Sequence, residues 1–371
     1  MGRHHLGHQA EMTRTDLRMV RGVVSLAAVV FLAATAAAQR GRIATDTVRA
    51  SSLTNLLGAP AETRVTVYLP PSYDNSPSVR YPVVYLLHGF GTTDVSWVRG
   101  FAGGMGVAGI MDSLVATYAA REMIVVMPNG STRFGVGFYV NSATSGNWDD
   151  FVARDLVAWT DAKYRTLARP ESRGIAGHSM GGYGALYLGM RHGGETFGAL
   201  YAMSACCITP FGFDPARDGA TWDTVGQAST PAAIPRAGLG SRAIVALSEA
   251  FAPDSTKPPF FMDLAHERHG NEWTSDPAVL VKFREHALLP MLGQFRGNLS
   301  RMRAIAFDGG RQDEVVPPQE WMVLDTAMTR ASLPHTFETY DGTHVSRVGA
   351  RLMTSVFSFF SRVLVFGRGA P

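Results

Sequence analysis

The chain has 371 residues, of which 46% are hydrophobic and 18% are charged, and its formal net charge is +3. This balance is typical of a globular protein with enough apolar material for a large core, and it excludes a fibrous or disordered chain. The basic residues are scattered and form no stripe with interleaved aromatic residues, so nucleic acid is not expected as a partner.

The first 38 residues have the three parts of a secretory signal peptide. Three arginines precede an uninterrupted apolar stretch over residues 22–34, and Ala36 and Ala38 form an A-x-A cleavage site before Gln39. The stretch is short for a membrane span. We therefore expect residues 39–371 to form a secreted or periplasmic domain without a stable membrane anchor, the alternative being an uncleaved anchor. Three methionines are candidate starts, namely Met1, Met12 and Met19.

Buried strands alternate with helices along most of the chain. Apolar runs predict strands at 64–69, 83–87, 123–127, 174–176, 199–203, 303–307 and 335–340, and helical spacing predicts helices at 149–164, 182–188 and 347–366. Such alternation favours an α/β fold with a mostly parallel sheet and helices on both faces. The stretch from about 209 to 300 breaks the pattern and is long for a connection. We expect it to be a cap-like insertion over the carboxyl ends of the strands, where ligands bind.

The pentapeptide Gly177-His178-Ser179-Met180-Gly181 is a G-x-S-x-G motif between a buried strand and a helix. Strand, tight turn and helix together are the context of a nucleophile elbow. The turn forces a strained backbone on the serine, and the flanking glycines let strand and helix pass without a Cβ clash. The motif therefore predicts Ser179 as a nucleophile, the alternative being an ordinary turn serine.

A nucleophilic serine needs a histidine base, and the base needs a carboxylate to orient it. In this type of fold the acid precedes the histidine along the chain. Asp308 and Asp313 both follow a late strand; Asp313 lies further into the loop and is favoured, whereas Asp308 at the strand edge is expected to hold the turn. His344, in a turn ahead of the last helix, is the predicted base, because His335 opens a strand and is expected to point elsewhere.

An oxyanion hole requires backbone N–H groups aimed at the developing charge. Met180 supplies one at the start of its helix, and the loop His88-Gly89-Phe90-Gly91 supplies the other through Phe90 or Gly91. We expect His88 to hold this loop through hydrogen bonds rather than to take part in catalysis. Gly91 and Trp148 are candidate substrate contacts, and ordinary core packing is the alternative for Trp148.

These motifs give the chain a resemblance to a known family. Its HGFG loop, its GHSMGGYGA elbow, the segment 146–151 and the turns carrying Asp313 and His344 resemble the esterase-D-like branch of the α/β-hydrolases. That branch includes S-formylglutathione hydrolases, feruloyl and acetyl-xylan esterases, enterochelin esterases and mycolyltransferases. The resemblance implies an acyl-enzyme mechanism with Ser179, Asp313 and His344 as triad, and with no metal.

Other signals do not suggest a cofactor. The glycine-rich run at 104–109 matches a dinucleotide fingerprint but does not directly follow a strand. The run 266–269 (HERH) lacks a third metal ligand at sensible spacing and is predicted to be the solvated face of a helix. The two cysteines, Cys206 and Cys207, are adjacent, and since a bridge between neighbours is strained we expect two buried thiols.

Three functions remain open on this sequence. The first is an exported serine esterase acting on a small-molecule or polysaccharide-linked carboxylic ester or thioester. The second keeps the acyl-enzyme but passes the acyl group to an alcohol or sugar. The third is a non-catalytic binding protein on a hydrolase scaffold, and the complete set of catalytic candidates argues against it.

Overall fold

The computed structural model describes residue 1 and residues 40–210 and 213–367. Gly41–Pro371 forms one compact unit, and Met1–Arg40 is a separate unit. The predicted signal peptide falls in the separate unit and, apart from its first residue, lies outside the described residues. Among the described helices, none is both long enough and apolar enough to cross a membrane.

An eight-stranded sheet forms the centre of the unit. In spatial order its strands run β1-β2-β4-β3-β5-β6-β7-β8. Strands β4, β3, β5, β6, β7 and β8 pair in parallel, whereas β1 and β2 are antiparallel at one edge. The strands are β1 (Arg42–Arg49), β2 (Glu62–Leu69), β3 (Val83–Leu87), β4 (Ile124–Pro128), β5 (Arg173–His178), β6 (Ala199–Met203), β7 (Ala304–Gly310) and β8 (Thr336–Tyr340).

Ten helices accompany the sheet in the described part of the chain, and two of them contain a π-helical segment in the middle. They are α1 (Asp94–Arg99), α2 (Val107–Ala116), α3 (Trp148–Asp150, Phe151–Asp155 and Leu156–Lys163), α4 (Met180–His192), α5 (Pro215–Gly226), α6 (Leu239–Phe251), α7 (Pro277–Glu285), α8 (Leu288–Ser300), α9 (Gln319–Arg330) and α10 (Val348–Arg351, Leu352–Val356 and Phe357–Val363). Short 3₁₀ helices lie at Ser51–Leu53, Pro170–Ser172 and Pro231–Arg236.

The central strands are buried on both faces, which explains their uninterrupted apolar sequences. Successive side chains of a strand point to opposite faces, so Tyr85 and Leu87 join one core cluster while Val84 and Leu86 join the other. Helices α3, α4, α8 and α9 cover the first face, and α1, α2 and α10 cover the second. The predicted mostly parallel sheet with helices on both faces is thus confirmed.

The parallel strands bring the predicted functional segments together at the carboxyl-terminal ends of the strands. The 88–91 loop follows β3, Ser179 follows β5, Asp313 follows β7 and His344 follows β8. Because β3, β5, β6, β7 and β8 are consecutive neighbours in the sheet, their carboxyl ends form a continuous rim. Residues far apart in sequence therefore meet on this rim.

Two local features differ from the sequence expectations. Strand β1 was not predicted, because Arg42–Arg49 is a mostly exposed edge strand with polar and apolar residues mixed. The run His266–His269 was predicted as a helix face, and this is wrong. It is one strand of a hairpin with Glu272–Ser275, turned at Gly270, whose φ of +65° suits a glycine.

The segment 209–300 carries helices of its own, as its length suggested. Helices α5, α6 and α7 and the hairpin belong to it. Its last helix, α8, packs against α4 of the core. Helix α8 therefore serves as the crossover between the parallel strands β6 and β7, which such a connection requires.

We predict that two glycine-to-alanine changes have opposite effects on stability. A Cβ on Gly181 would lie 2.1 Å from the backbone oxygen of Leu87, so Gly181→Ala should lower the free energy of unfolding by about 3 kcal/mol or more. Gly293 lies in α8, and a Cβ added there would have no atom within 4 Å, so Gly293→Ala should raise it by about 0.5–1 kcal/mol. Urea denaturation measures both, and equal effects would contradict the packing described for the elbow.

Candidate active site

Ser179 lies in a strained turn between β5 and α4. Its φ is +59° and its ψ is −118°, a conformation that non-glycine residues rarely adopt. A Cβ on Gly177 would lie 2.1 Å from the backbone oxygen of Gly181, so only glycine fits there. The Ser179 N–H donates to the carbonyl of Met203 at the end of β6, 2.9 Å away. This arrangement holds the serine hydroxyl above the rim of the sheet.

Three predicted residues form one continuous hydrogen-bonded relay. The hydroxyl oxygen of Ser179 lies 2.9 Å from Nε2 of His344, and Nδ1 of His344 lies 2.8 Å from Oδ2 of Asp313. All three residues are buried, with exposed fractions of 8%, 6% and 7% respectively. The structure thus brings together, in the required order, residues that are separated by up to 165 positions.

The environment of Asp313 favours its ionised form. Burial alone would raise the pKa of this carboxyl, but hydrogen bonds from His344 and from the N–H groups of Val316 and Val315 outweigh burial, so the pKa lies below its ordinary value. The two N–H groups donate to Oδ1 at 2.7 and 2.9 Å. The ionised carboxylate accepts a hydrogen bond from the Nδ1–H of His344, which leaves Nε2 of His344 without a proton and able to accept the proton of the serine hydroxyl.

Asp308, the alternative acid, has different partners. It is the fifth residue of β7 and accepts hydrogen bonds from Arg351 Nε at 2.7 Å and from the Tyr201 hydroxyl at 2.8 Å. Burial raises its pKa to about 6 despite the nearby Arg351 guanidinium. Asp308 therefore ties α10 to the sheet, and Asp313, not Asp308, contacts His344.

The 88–91 loop passes directly over the nucleophile. A Cβ on Gly89 would lie 3.0 Å from the Cβ of Ser179. His88 is fully buried and holds the loop: its Nε2 accepts the N–H of Gly130 at 2.8 Å, and its Nδ1 lies 3.0 Å from the carbonyl of Gly89. Since Nε2 is the acceptor, Nδ1 carries the proton, and burial lowers the pKa of this imidazole. His88 is therefore a neutral structural residue.

The predicted oxyanion donors flank the serine. Met180 is the first residue of α4, so its N–H has no partner within the helix. Phe90 is in the loop above the serine, and its N–H has no acceptor among the hydrogen bonds of the described loops. Gly91 follows with a φ of +72°, and a Cβ added to it would meet open space. The N–H groups of Phe90 and Met180 thus have no backbone acceptor among the described residues, and their role as an oxyanion hole stays a prediction.

Trp148, the other predicted substrate contact, is a buried residue at the start of α3. Its indole N–H donates to the carbonyl of Ser145 at 2.9 Å, and its ring packs edge-on against Phe151. It also lines a cavity of about 310 Å³ with residues of the 131–133 loop and of the N-terminal strands, and no member of the relay lines that cavity. Its side chain is therefore placed in packing, and a substrate contact stays a prediction.

Helix α6, in the segment 209–300, contacts both the 88–91 loop and helix α4. The Arg242 guanidinium lies over the Phe90 ring, 5.5 Å from its centre. Further along the same helix, Phe251 stacks on His286 with ring centres 4.6 Å apart and packs against Tyr183, one turn after the nucleophile. The segment 209–300 thus contributes a cationic group beside the 88–91 loop and an aromatic group beside α4.

Two nearby contacts were not identified from the sequence. His178 precedes the nucleophile, and its Nε2 lies 2.7 Å from the backbone oxygen of His344. Glu314 follows the acid and accepts the N–H of His344 at 3.1 Å. The sequence signal for His178 was its position inside the G-x-S-x-G motif. This signal is weak, because the motif accepts any residue at that position.

The remaining sequence signals have no catalytic geometry. Among the described residues, no group of three or more histidine, cysteine or acidic side chains could hold a metal ion. The 104–109 run ends in helix α2, which starts after Gly106. Cys206 and Cys207 are free and buried, with sulfur atoms 3.1 Å apart, which confirms the expected pair of buried thiols.

Comparison with known proteins places the chain among esterases. The family model described as "Putative esterase" matches residues 58–262. Esterase Rv1288 of Mycobacterium tuberculosis (strain ATCC 25618 / H37Rv) is 37% identical over 135 residues, which cover 35% of this chain and 26% of that protein. An endo-1,4-beta-xylanase/feruloyl esterase of Xylanibacter ruminicola is 35% identical over 151 residues, 39% of this chain and 20% of that protein. The chain thus spans about a quarter or less of the length of these relatives.

Solved structures share the α/β-hydrolase fold over most of the chain. A ferulic acid esterase aligns with a TM-score of 0.62 and 23% identity, covering 88% of this chain and 99% of that one. An S-formylglutathione hydrolase from Agrobacterium tumefaciens aligns with a TM-score of 0.55 and 17% identity, covering 88% and 97%. The predicted fold class and the resemblance noted in the sequence are thereby confirmed.

We predict that asparagine in place of Asp313 lowers activity, whereas asparagine in place of Asp308 lowers stability. Asp313→Asn removes the carboxylate that orients His344, so kcat should fall by roughly 10³- to 10⁴-fold with little change in stability. Asp308→Asn weakens the contact with Arg351, so the free energy of unfolding should fall by roughly 1–3 kcal/mol while kcat changes only a few-fold. Ester hydrolysis and thermal unfolding of both variants test this. A large loss of kcat confined to the Asp308 variant would reverse the assignment.

Proposed function

The chain belongs to the "Putative esterase" family, and on that premise we propose that it is an exported serine esterase that hydrolyses a carboxylic ester or thioester through an acyl-enzyme. One observation carries the proposal. Ser179, His344 and Asp313 form an unbroken series of hydrogen bonds under the 88–91 loop, whose Phe90 N–H has no backbone acceptor among the described residues. A serine, a neutral imidazole and an ionised carboxylate in this order are what acyl transfer to a hydroxyl requires.

The first half of the proposed reaction forms the acyl-enzyme. The Ser179 oxygen attacks the ester carbonyl while Nε2 of His344 takes the hydroxyl proton. The tetrahedral oxyanion accepts hydrogen bonds from the N–H groups of Phe90 and Met180. Asp313 stabilises the imidazolium that forms. The carbonyl then re-forms as the bond to the leaving alcohol breaks, and His344 gives its proton to that alcohol.

The second half returns the enzyme to its starting state. A water molecule replaces the alcohol, and His344 removes one of its protons as the water oxygen attacks the acyl carbonyl. The same two N–H groups stabilise the second oxyanion. Collapse releases the carboxylic acid and returns the proton from His344 to Ser179, so no external base, metal or cofactor is consumed.

The similar proteins support an ester as the substrate. The relatives' names include esterase and feruloyl esterase, and the similar folds include a ferulic acid esterase and an S-formylglutathione hydrolase. A panel of esters that differ in acyl length, with feruloyl, acetyl-xylan and thioester members, compares these possibilities. Measuring free acid against transferred acyl product with an added alcohol or sugar separates hydrolysis from acyl transfer.

We predict that Ser179→Ala abolishes hydrolysis of p-nitrophenyl acetate and labelling by a fluorophosphonate probe, because both require the serine oxygen. The variant should unfold at a temperature close to that of the unchanged protein, since removing one hydroxyl leaves the turn intact. Ser300→Ala, at the end of α8 and exposed, is the matched control and should keep full activity. Hydrolysis by Ser179→Ala at the rate of the unchanged protein would refute the proposed function.

Export is the second part of the proposal. It rests on the signal-like sequence before Gln39 and is compatible with a compact unit that begins at Gly41. When the full chain is expressed in a bacterial host with a general secretion pathway, we expect the exported protein to begin at Gln39. Ala38→Arg should block this cleavage, because the site accepts only small residues. N-terminal sequencing measures both, and an exported wild-type protein that retains residues 1–38 would contradict the prediction.

A further inference from the structure

The backbone of the base His344 is held from both sides by side chains near its two partners. Its N–H donates to Glu314, the residue after the acid Asp313, at 3.1 Å. Its carbonyl accepts a hydrogen bond from Nε2 of His178, the residue before the nucleophile, at 2.7 Å. The base is thus linked to the acid loop and to the nucleophile turn through its own peptide groups as well as through its ring.

These links matter because His344 lies in an irregular turn. The turn joins β8 to α10, and its neighbours Val345, Ser346 and Arg347 are exposed. No helix or strand hydrogen bonds fix the His344 peptide there, so side-chain contacts decide where the imidazole lies. The bond from His178 is the most direct of these contacts to the nucleophile, because His178 and Ser179 share a peptide bond.

The chemistry of His178 suits a fixed neutral donor. A carbonyl oxygen only accepts, so Nε2 of His178 carries the proton. The residue is buried, and burial together with the neighbouring His344 lowers its pKa to about 3. The two imidazole rings lie 4.8 Å apart, so a charged His178 would oppose the imidazolium that His344 becomes during the reaction. The ring of Phe101 packs edge-on against His178, 6.1 Å away, and restrains its orientation.

We propose that His178 is a positioning residue, whose neutral Nε2–H holds the His344 backbone so that the base lies at hydrogen-bond distance from Ser179. The inference deepens the proposed function and rests on it, because positioning matters only if His344 acts as the base. It assigns a role to the variable second position of the G-x-S-x-G motif. A misplacement of about 1 Å at a reacting group can lower a rate by about 100-fold.

The test compares variants with and without a donor at the Nε2 position. In His178→Gln the amide nitrogen is the same number of bonds from the backbone as Nε2 and can donate to the same carbonyl, so kcat should stay within about threefold of wild type. In His178→Leu the donor is lost, and kcat should fall roughly 10- to 100-fold while KM changes less than about twofold. His335→Leu is the matched control, because it removes a histidine that contacts Asp325 away from the relay, and it should leave kcat unchanged.

His178→Asn is included in case the leucine variant fails to fold. Its shorter amide cannot reach the His344 carbonyl, so it should lose kcat as leucine does. Wild-type kcat in a folded Leu or Asn variant would overturn the proposal, and so would a Gln variant as impaired as Leu at equal thermal stability. The Ser179→Ala variant separates failure of the proposed function from failure of the positioning role. If Ser179→Ala retains hydrolysis, the proposed function is refuted. If Ser179→Ala loses hydrolysis while His178→Leu stays fully active, only the positioning role is refuted.

Discussion

The close approach of β3, β5 and α4 at the nucleophile is the constraint on which the remaining geometry depends. Gly177 and Gly181 leave no room for a side chain, since a Cβ at either position would lie 2.1 Å from a neighbouring backbone oxygen. The strained φ at Ser179 costs on the order of 1–3 kcal/mol, and the buried strands on either side supply the packing that offsets it. Because the packed turn cannot relax, Ser179 keeps one position relative to the loops that carry His88, Asp313 and His344.

Three histidines at this end of the sheet make different hydrogen bonds through their ring nitrogens. His88 accepts a hydrogen bond through Nε2, His178 donates through Nε2, and His344 has one nitrogen toward an acid and the other toward a hydroxyl. Burial lowers the pKa values of His88 and His178, so neither adds a positive charge beside the base. The lowered pKa of Asp313 keeps this carboxyl group ionised beside His344. In the proposed mechanism, the imidazolium that develops at His344 therefore meets no competing positive charge from these two histidines.

The parts of this structure that follow from local rules were predictable from the sequence. Uninterrupted apolar runs predict strands buried on both faces, and glycine spacing around Ser179 predicts a turn that only glycine permits. The edge strand Arg42–Arg49 escaped prediction because one side of it meets solvent and its apolar pattern is weak. The hairpin at His266–His269 escaped because four polar residues have no distinctive period. The bond from His178 to His344 escaped because it joins two loops that only the parallel sheet brings together.

Helix α6, in the segment 209–300, carries a buried acid without hydrogen-bond partners. Glu249 of α6 is fully buried, neither of its carboxyl oxygens has a hydrogen-bond partner among the described residues, and burial raises its pKa well above the ordinary value. Such a group lowers stability, so folding alone does not explain it. The same helix places Arg242 over Phe90 of the oxyanion loop. Departures from local consistency are expected near function, and this one lies on the helix that brings the segment 209–300 into contact with the 88–91 loop.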